Sequence, residues 1–128
     1  MITGISAVTL ATADMRRAVE FYRLVGLELL YGGEAAGFTS FRAGCTYLNL
    51  VAQQASAPRS WWGRVVIYES EVDALYARLV AAGCRPLTTP RDAAWGERFF
   101  HVADPDGHEL SFARPLSDGR PSAQASVR

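Results

Sequence analysis

The sequence is poor in cysteine, in net charge and in long apolar runs, and each shortage excludes a class of protein. Cys45 and Cys84 are the only cysteines among 128 residues, too few for a disulfide framework and without a C-x-x-C metal motif. We expect both to be reduced thiols, and a single disulfide between them stays open.

Thirteen basic residues balance thirteen acidic ones, so the formal charge is zero. A neutral chain lacks the basic surface that nucleic-acid binding requires. The apolar runs are short, and no basic segment is followed by an apolar stretch of signal-peptide length. We therefore expect a cytoplasmic protein with no nucleic-acid partner and no membrane association.

The composition is that of an ordinary globular domain, with 49% hydrophobic and 20% charged residues. The length suits one domain with its own core, which we place at residues 1–115. Residues 116–128 carry no hydrophobic periodicity and are expected to form a flexible tail.

The first half of the chain predicts one βαβββ unit, at about residues 5–52. After Asp14, a typical N-cap residue, apolar side chains recur at helical spacing, and Gly26 stands where a helix would end in a left-handed residue. The predicted strands are residues 6–10, 28–31, 38–42 and 47–52.

The second half repeats this order at about residues 62–114, after a linker at residues 53–60, which indicates an internal duplication. Ser70 to Asp73 resemble a capping box at the start of the second helix, which Gly83 would end. Asp104 and Asp106 are expected to hold a turn by local hydrogen bonds. The predicted strands are residues 64–68, 85–88, 98–103 and 109–114.

Several motifs together resemble the glyoxalase, bleomycin-resistance and extradiol-dioxygenase superfamily, the vicinal oxygen chelate fold. The most specific is Trp95-Gly96-Glu97-Arg98-Phe99-Phe100, followed by Asp104-Pro105-Asp106-Gly107-His108-Glu109-Leu110-Ser111-Phe112, with Ala18-Val19-Glu20-Phe21-Tyr22-Arg23 and Gly26-Leu27-Glu28-Leu29 in support. The resemblance implies an α+β fold of two βαβββ units, with curved mixed sheets around a cavity and helices on the outer face.

The resemblance also implies four metal-ligand positions on inward-facing strand residues. Here they fall on Ala7, Asn49, Arg64 and Ser111. None of these is a good ligand for a divalent cation, because catalytic sites use imidazole and carboxylate donors. We therefore predict that the chain uses no metal and no other cofactor.

Alternation along the strands predicts which side chains face the cavity, since successive side chains point to opposite faces. The opposite positions, such as Leu48, Leu50, Leu110 and Phe112, are apolar and suit a face covered by helices. Polar and aromatic residues on the cavity side or at its mouth are the predicted ligand-binding set: Thr9, Tyr47, Asn49, Trp62, Arg64, Tyr68, Trp95, His101, Glu109 and Ser111.

Some of these residues have two possible roles. Arg64 and Glu109 either bind a polar ligand or neutralise each other as a pair. His101 either acts as a general base or packs at a strand edge, whereas His108 is expected to be solvated. Trp61 and Trp62 point opposite ways in an extended segment, so at most one enters a given cavity.

The leading hypothesis is a metal-free binding protein for a small aromatic or amphipathic compound, as in the drug-binding members of the superfamily. One alternative is a lyase, isomerase or dioxygenase, either metal-independent and using His101, Glu109, Tyr47 or Arg64, or with metal ligands elsewhere. Another is a structural or regulatory module whose cavity is filled by its own side chains. We also predict a homodimer with Trp61 or Trp62 near the contact, since aromatic residues are enriched at interface cores.

Overall fold

A computed structural model describes residues 1–54 and 60–117. The chain divides into two compact units. Unit 1 comprises Met1–Trp61 with Asp104–His108, and unit 2 comprises Trp62–Ala103 with the chain from Glu109 onward. Most of the predicted linker and most of the predicted tail lie outside the described residues.

Unit 1 contains a four-stranded sheet in the order β1-β4-β3-β2, in which β1 and β4 are parallel and the other neighbours are antiparallel. One helix separates the first strand from the other three, as the sequence predicts. The elements are β1 (Ala7–Thr12), α1 (Met15–Leu24), β2 (Glu28–Tyr31), β3 (Phe38–Ala43) and β4 (Thr46–Ala52).

Unit 2 repeats this topology in the order β5-β8-β7-β6, again with one parallel pair, β5 and β8. Two βαβββ units with mixed sheets confirm the predicted α+β fold. Among the described residues, neither helix has the length and apolar character needed to cross a bilayer. The elements are β5 (Arg64–Tyr68), α2 (Val72–Ala81), β6 (Arg91–Asp92), β7 (Glu97–Ala103) and β8 (Glu109–Pro115).

The ends of α1 follow the sequence signals. The Asp14 carboxylate accepts a hydrogen bond from the Arg17 amide at 3.2 Å, satisfying one of the amides left unpaired at a helix start. Gly26 has a φ of 103°, the left-handed conformation expected after the last turn. The helix packs against β4 through fully buried residues that include Ala18 and Val19.

The start of α2 differs from the prediction. The helix begins one residue later than a capping box from Ser70 requires, and Glu71 at the N-cap makes no side-chain capping hydrogen bond. Burial of Val72, Leu75 and Leu79 stabilises this helix instead.

The predicted strand at residues 85–88 is absent, and the edge strand of unit 2 is β6. Pro86 cannot donate a ladder hydrogen bond. The segment is nevertheless attached to β7, because the Leu87 amide donates to the His101 carbonyl at 2.8 Å. The His101 amide in turn donates to the Thr88 hydroxyl at 3.0 Å, so a side chain replaces a backbone acceptor and regular pairing does not form.

The turn at Asp104 is a buried polar cluster within unit 1. One Asp104 oxygen accepts hydrogen bonds from the amides of Asp106 and His108, both at 2.9 Å, which confirms its predicted turn-holding role. The other accepts from the Tyr22 hydroxyl at 2.6 Å. The expectation for His108 is wrong: it is only 3% exposed, and its Nε2 lies 2.8 Å from the Ala11 carbonyl oxygen.

Burial shifts the ionisation of this cluster. It raises the pKa of Asp104, and the hydrogen bond from Tyr22 opposes that shift. Burial, followed by the nearby Asp104 charge, raises the pKa of Tyr22 well above its usual value. The Tyr22 hydroxyl therefore stays protonated and acts as the donor.

Cys45 in unit 1 and Cys84 in unit 2 are both free thiols, so the disulfide that the sequence leaves open does not form.

We predict that Tyr22→Phe lowers the free energy of unfolding by about 2 kcal/mol, because it leaves a buried carboxylate oxygen without this donor. Urea denaturation at neutral pH measures the change. Tyr76→Phe is the matched control, since that ring packs edge-on against Phe100 through its carbon atoms. Equal stability of the two variants would contradict the role assigned to the Tyr22 hydroxyl.

Candidate functional site

Unit 2 has a recess on the face of its sheet opposite α2. Register partners from three neighbouring strands lie side by side there: Val66 on β5 and His101 on β7 both pair with Ser111 on β8. The recess is open on one side and encloses about 30 Å³. It is lined by Arg64, Val66, Trp95, Glu97, Phe99, His101, Ser111 and Ala113.

One wall of the recess is aromatic. The Phe99 ring centroid lies 5.4 Å from that of Trp95 and 5.0 Å from that of His101. The Arg91 guanidinium of β6 lies over the Phe99 ring, 5.2 Å from its centroid. The wall therefore combines apolar surface with a cation at its edge.

Arg64 and Glu109 form an ion pair at the end of the recess where β5 and β8 begin. They are register partners, and Arg64 Nε donates to Glu109 Oε2 at 2.5 Å. Of the two roles open from the sequence, mutual pairing is thus present in the structure. A site that already contains this pair offers a ligand a polar but locally neutral edge.

Glu97 is a site residue that sequence reasoning missed. It is fully buried and accepts hydrogen bonds from the Tyr68 hydroxyl at 2.7 Å and from Trp95 Nε1 at 3.0 Å. A buried carboxylate requires such partners. The alternation of side chains along β7 could have indicated Glu97, because it shares a strand face with His101, four residues away.

His101 presents a neutral imidazole to the recess. Its Nδ1 is enclosed and has no hydrogen-bond partner among the described residues. Burial lowers the pKa of His101, the positive charges of Arg64 and Arg91 act in the same direction, and Glu109 opposes them. Burial and the two arginine charges therefore disfavour the imidazolium form.

The predicted ligand-binding residues fall into separate groups. Thr9, Tyr47 and Asn49 lie on the sheet of unit 1, where Asn49 Nδ2 donates to the Thr9 hydroxyl at 3.2 Å. Trp62 does not line the unit 2 recess. Unit 2 brings together the other six: Arg64, Trp95, His101 and Ser111 line the recess, and Tyr68 and Glu109 bind lining residues.

The four positions implied as metal ligands do not fit a divalent cation. Ala7 has no donor atom, the Asn49 amide nitrogen is bonded to Thr9, and Arg64 is a permanent cation paired with Glu109. Ser111 offers only a neutral hydroxyl. Elsewhere in residues 1–54 and 60–117, no three His, Cys, Asp or Glu side chains are grouped to hold a metal ion.

The lowered pKa of His101 predicts a pH dependence of stability. In the unfolded chain this histidine titrates near 6.5, and in the folded protein it titrates lower. Between these two values the unfolded chain binds more protons, so stability is fully present above 6.5 and is lost as the pH falls toward the folded pKa. Urea unfolding at about pH 7.5 and pH 5 should show a larger loss for the wild type than for His101→Gln. Parallel losses in the two proteins would contradict a neutral, buried His101.

Comparisons with known proteins agree on one family. The family model described as "Glyoxalase/Bleomycin resistance protein/Dioxygenase superfamily" matches residues 4–112. Metallothiol transferase FosB of Shouchella clausii (strain KSM-K16) is 34% identical over 118 residues, covering 86% of this chain and 79% of the relative.

Two solved structures share the fold along nearly the whole chain. A glyoxalase/bleomycin resistance protein/dioxygenase from Nocardioides has a TM-score of 0.73 at 26% identity, covering 95% of this chain and 89% of that one. TioX from Micromonospora sp. ML1 has a TM-score of 0.71 at 28% identity, covering 89% of this chain and 100% of that one. With its two βαβββ units and a matching family model over most of its length, the chain belongs to the glyoxalase/bleomycin resistance protein/dioxygenase superfamily.

Proposed function

We propose that this protein binds a small aromatic drug or metabolite in the unit 2 recess, without a metal ion. The observation that carries the proposal is the Arg64–Glu109 pair at a position implied as a metal ligand. A guanidinium there repels a divalent cation, and its carboxylate partner is already occupied.

The composition of the recess supports a small organic ligand. Four of the eight lining side chains are apolar, Val66, Trp95, Phe99 and Ala113, and His101 and Ser111 supply polar groups. A lining of apolar and aromatic side chains with a few polar groups is typical of sites for small organic ligands.

A blocked recess tests this proposal. Val66→Trp places a large side chain in the recess, and Val80→Trp, on the exposed surface of α2, is the matched control. The probes are three naphthalene compounds: 2-naphthoate, 2-naphthylmethanol and 2-naphthylmethylammonium. We expect at least one to raise the melting temperature of the wild type and of Val80→Trp, because a ligand that binds only the folded state stabilises it.

The same probe should leave the melting temperature of Val66→Trp unchanged. Equal stabilisation of both tryptophan variants would place binding outside the recess. If no probe stabilises the wild type, the recess is not a site for such compounds, and a structural or regulatory module becomes the better hypothesis.

The second candidate is an enzyme, favoured by the 34% identity to a relative named as a metallothiol transferase. This hypothesis includes the lyase, isomerase and dioxygenase activities of the superfamily. The metal ligands would then lie outside Ala7, Asn49, Arg64 and Ser111, or His101 would act as a metal-independent base.

Metal analysis separates a metal enzyme from the binding protein. We expect purified protein, after dialysis, to hold well under one equivalent of Mn, Fe, Ni, Zn or Cu by mass spectrometry. One tightly held equivalent of any of these ions would reject the metal-free proposal.

We further propose that the protein is a homodimer with Trp61 or Trp62 near the contact. The two side chains are 67% and 47% exposed, respectively, in the single chain, and large exposed aromatic residues often mark interaction surfaces. Light scattering at micromolar concentration should give about twice the chain mass of 14.0 kDa. A mass equal to one chain would reject the dimer.

A further inference from the structure

The edge of the unit 2 recess carries a cation, Arg91, that no acid within residues 1–54 and 60–117 neutralises. Arg91 lies over the Phe99 ring. Its neighbour on β6, Asp92, is paired with Arg98 at 2.9 Å. Because Arg91 and Phe99 are register partners, Arg91 lies on the same face of the sheet as the recess.

His101 adds a hydrogen-bond donor next to this cation. Its Nδ1 is enclosed without a partner, so Nε2 is the ring nitrogen left to meet a ligand. A buried N–H group without an acceptor is rare in proteins, because its desolvation is not compensated. The proton of the neutral ring therefore lies on Nε2, which then donates to an acceptor on the ligand.

The other end of the recess has the opposite character. Glu97 lies four residues before His101 on β7, about 13 Å away at the usual rise per residue. The Tyr68 hydroxyl and Trp95 Nε1 both donate to its carboxyl group, so the donors at that end are already used by Glu97 and not directed at an acidic ligand. An acidic group is therefore directed toward His101 and Arg91, and an attached ring meets Trp95 and Phe99.

We propose that the recess selects a planar aromatic carboxylate. Its carboxylate accepts from His101 Nε2 and lies beside the Arg91 guanidinium, while its ring packs against Phe99 and Trp95. This assignment rests on the proposed function and adds the charge, the shape and the orientation of the ligand.

Calorimetry with the three naphthalene probes tests the charge preference. We expect 2-naphthoate to bind the wild type about tenfold more tightly than 2-naphthylmethanol and 2-naphthylmethylammonium, because a charge-assisted hydrogen bond forms only with the carboxylate. If the alcohol or the ammonium compound binds as tightly while Val66→Trp still abolishes binding, the carboxylate assignment fails and the proposed function stands. If none of the three binds, both fail.

Variants of Arg91 and His101 test whether these residues contact the carboxylate of the ligand. Arg91→Gln should weaken 2-naphthoate binding about fivefold, the scale of an exposed ion pair, and leave 2-naphthylmethanol unchanged. Arg91→Lys should restore part of the loss. His101→Phe keeps a ring but removes the donor, and should weaken 2-naphthoate about tenfold.

Arg85→Gln is the matched control for net charge, since Arg85 is exposed and does not line the recess. We expect it to leave 2-naphthoate binding unchanged. An equal loss in Arg85→Gln and Arg91→Gln would show a general effect of charge and overturn the assignment of Arg91, as would equal losses for the acid and the alcohol.

Discussion

Alternation of side chains along the strands of unit 2 determines which residues are available to a ligand. On β8, Leu110 and Phe112 are buried on the side of α2, and the alternate residues Ser111 and Ala113 line the recess. A slip of one residue would exchange the two sets and lose on the order of 2 kcal/mol for each large apolar side chain brought to the open face. The face of the sheet that packs against α2 must be apolar, so the polar side chains of the same strands lie on the other face and line the recess.

The two units each enclose a carboxylate and satisfy it with neutral donors. Asp104 receives a tyrosine hydroxyl and two backbone amides, and Glu97 receives a tyrosine hydroxyl and an indole N–H. Neutral donors stabilise the charge without burying a second one, which would add its own desolvation cost. The two arginines near the recess lie at its edge. Arg64 pairs there with Glu109, and Arg91 lies over an aromatic ring.

The chain has the superfamily fold, and it carries poor metal ligands at the four positions where the resemblance to the superfamily implies ligands. The strands that would present metal ligands are in place, but they carry an alanine, an asparagine, an arginine and a serine. Backbone topology depends on apolar patterning and turns, which tolerate such exchanges on the open face of a sheet. The same fold can therefore hold quite different chemistry, and the function must be argued from the site.

The repeated βαβββ order, the cap at Asp14 and the strand faces could be predicted from the sequence, because each depends on neighbours within a few residues or on simple periodicity. The burial of His108 and the role of Glu97 could not be predicted in this way. The partner of His108, Ala11, is 97 positions away, and the partner of Glu97, Tyr68, is 29 positions away. The tertiary structure also replaced the predicted strand at residues 85–88 by a segment attached to β7 through a side chain. These features depend on contacts between distant parts of the chain, which local patterns do not encode.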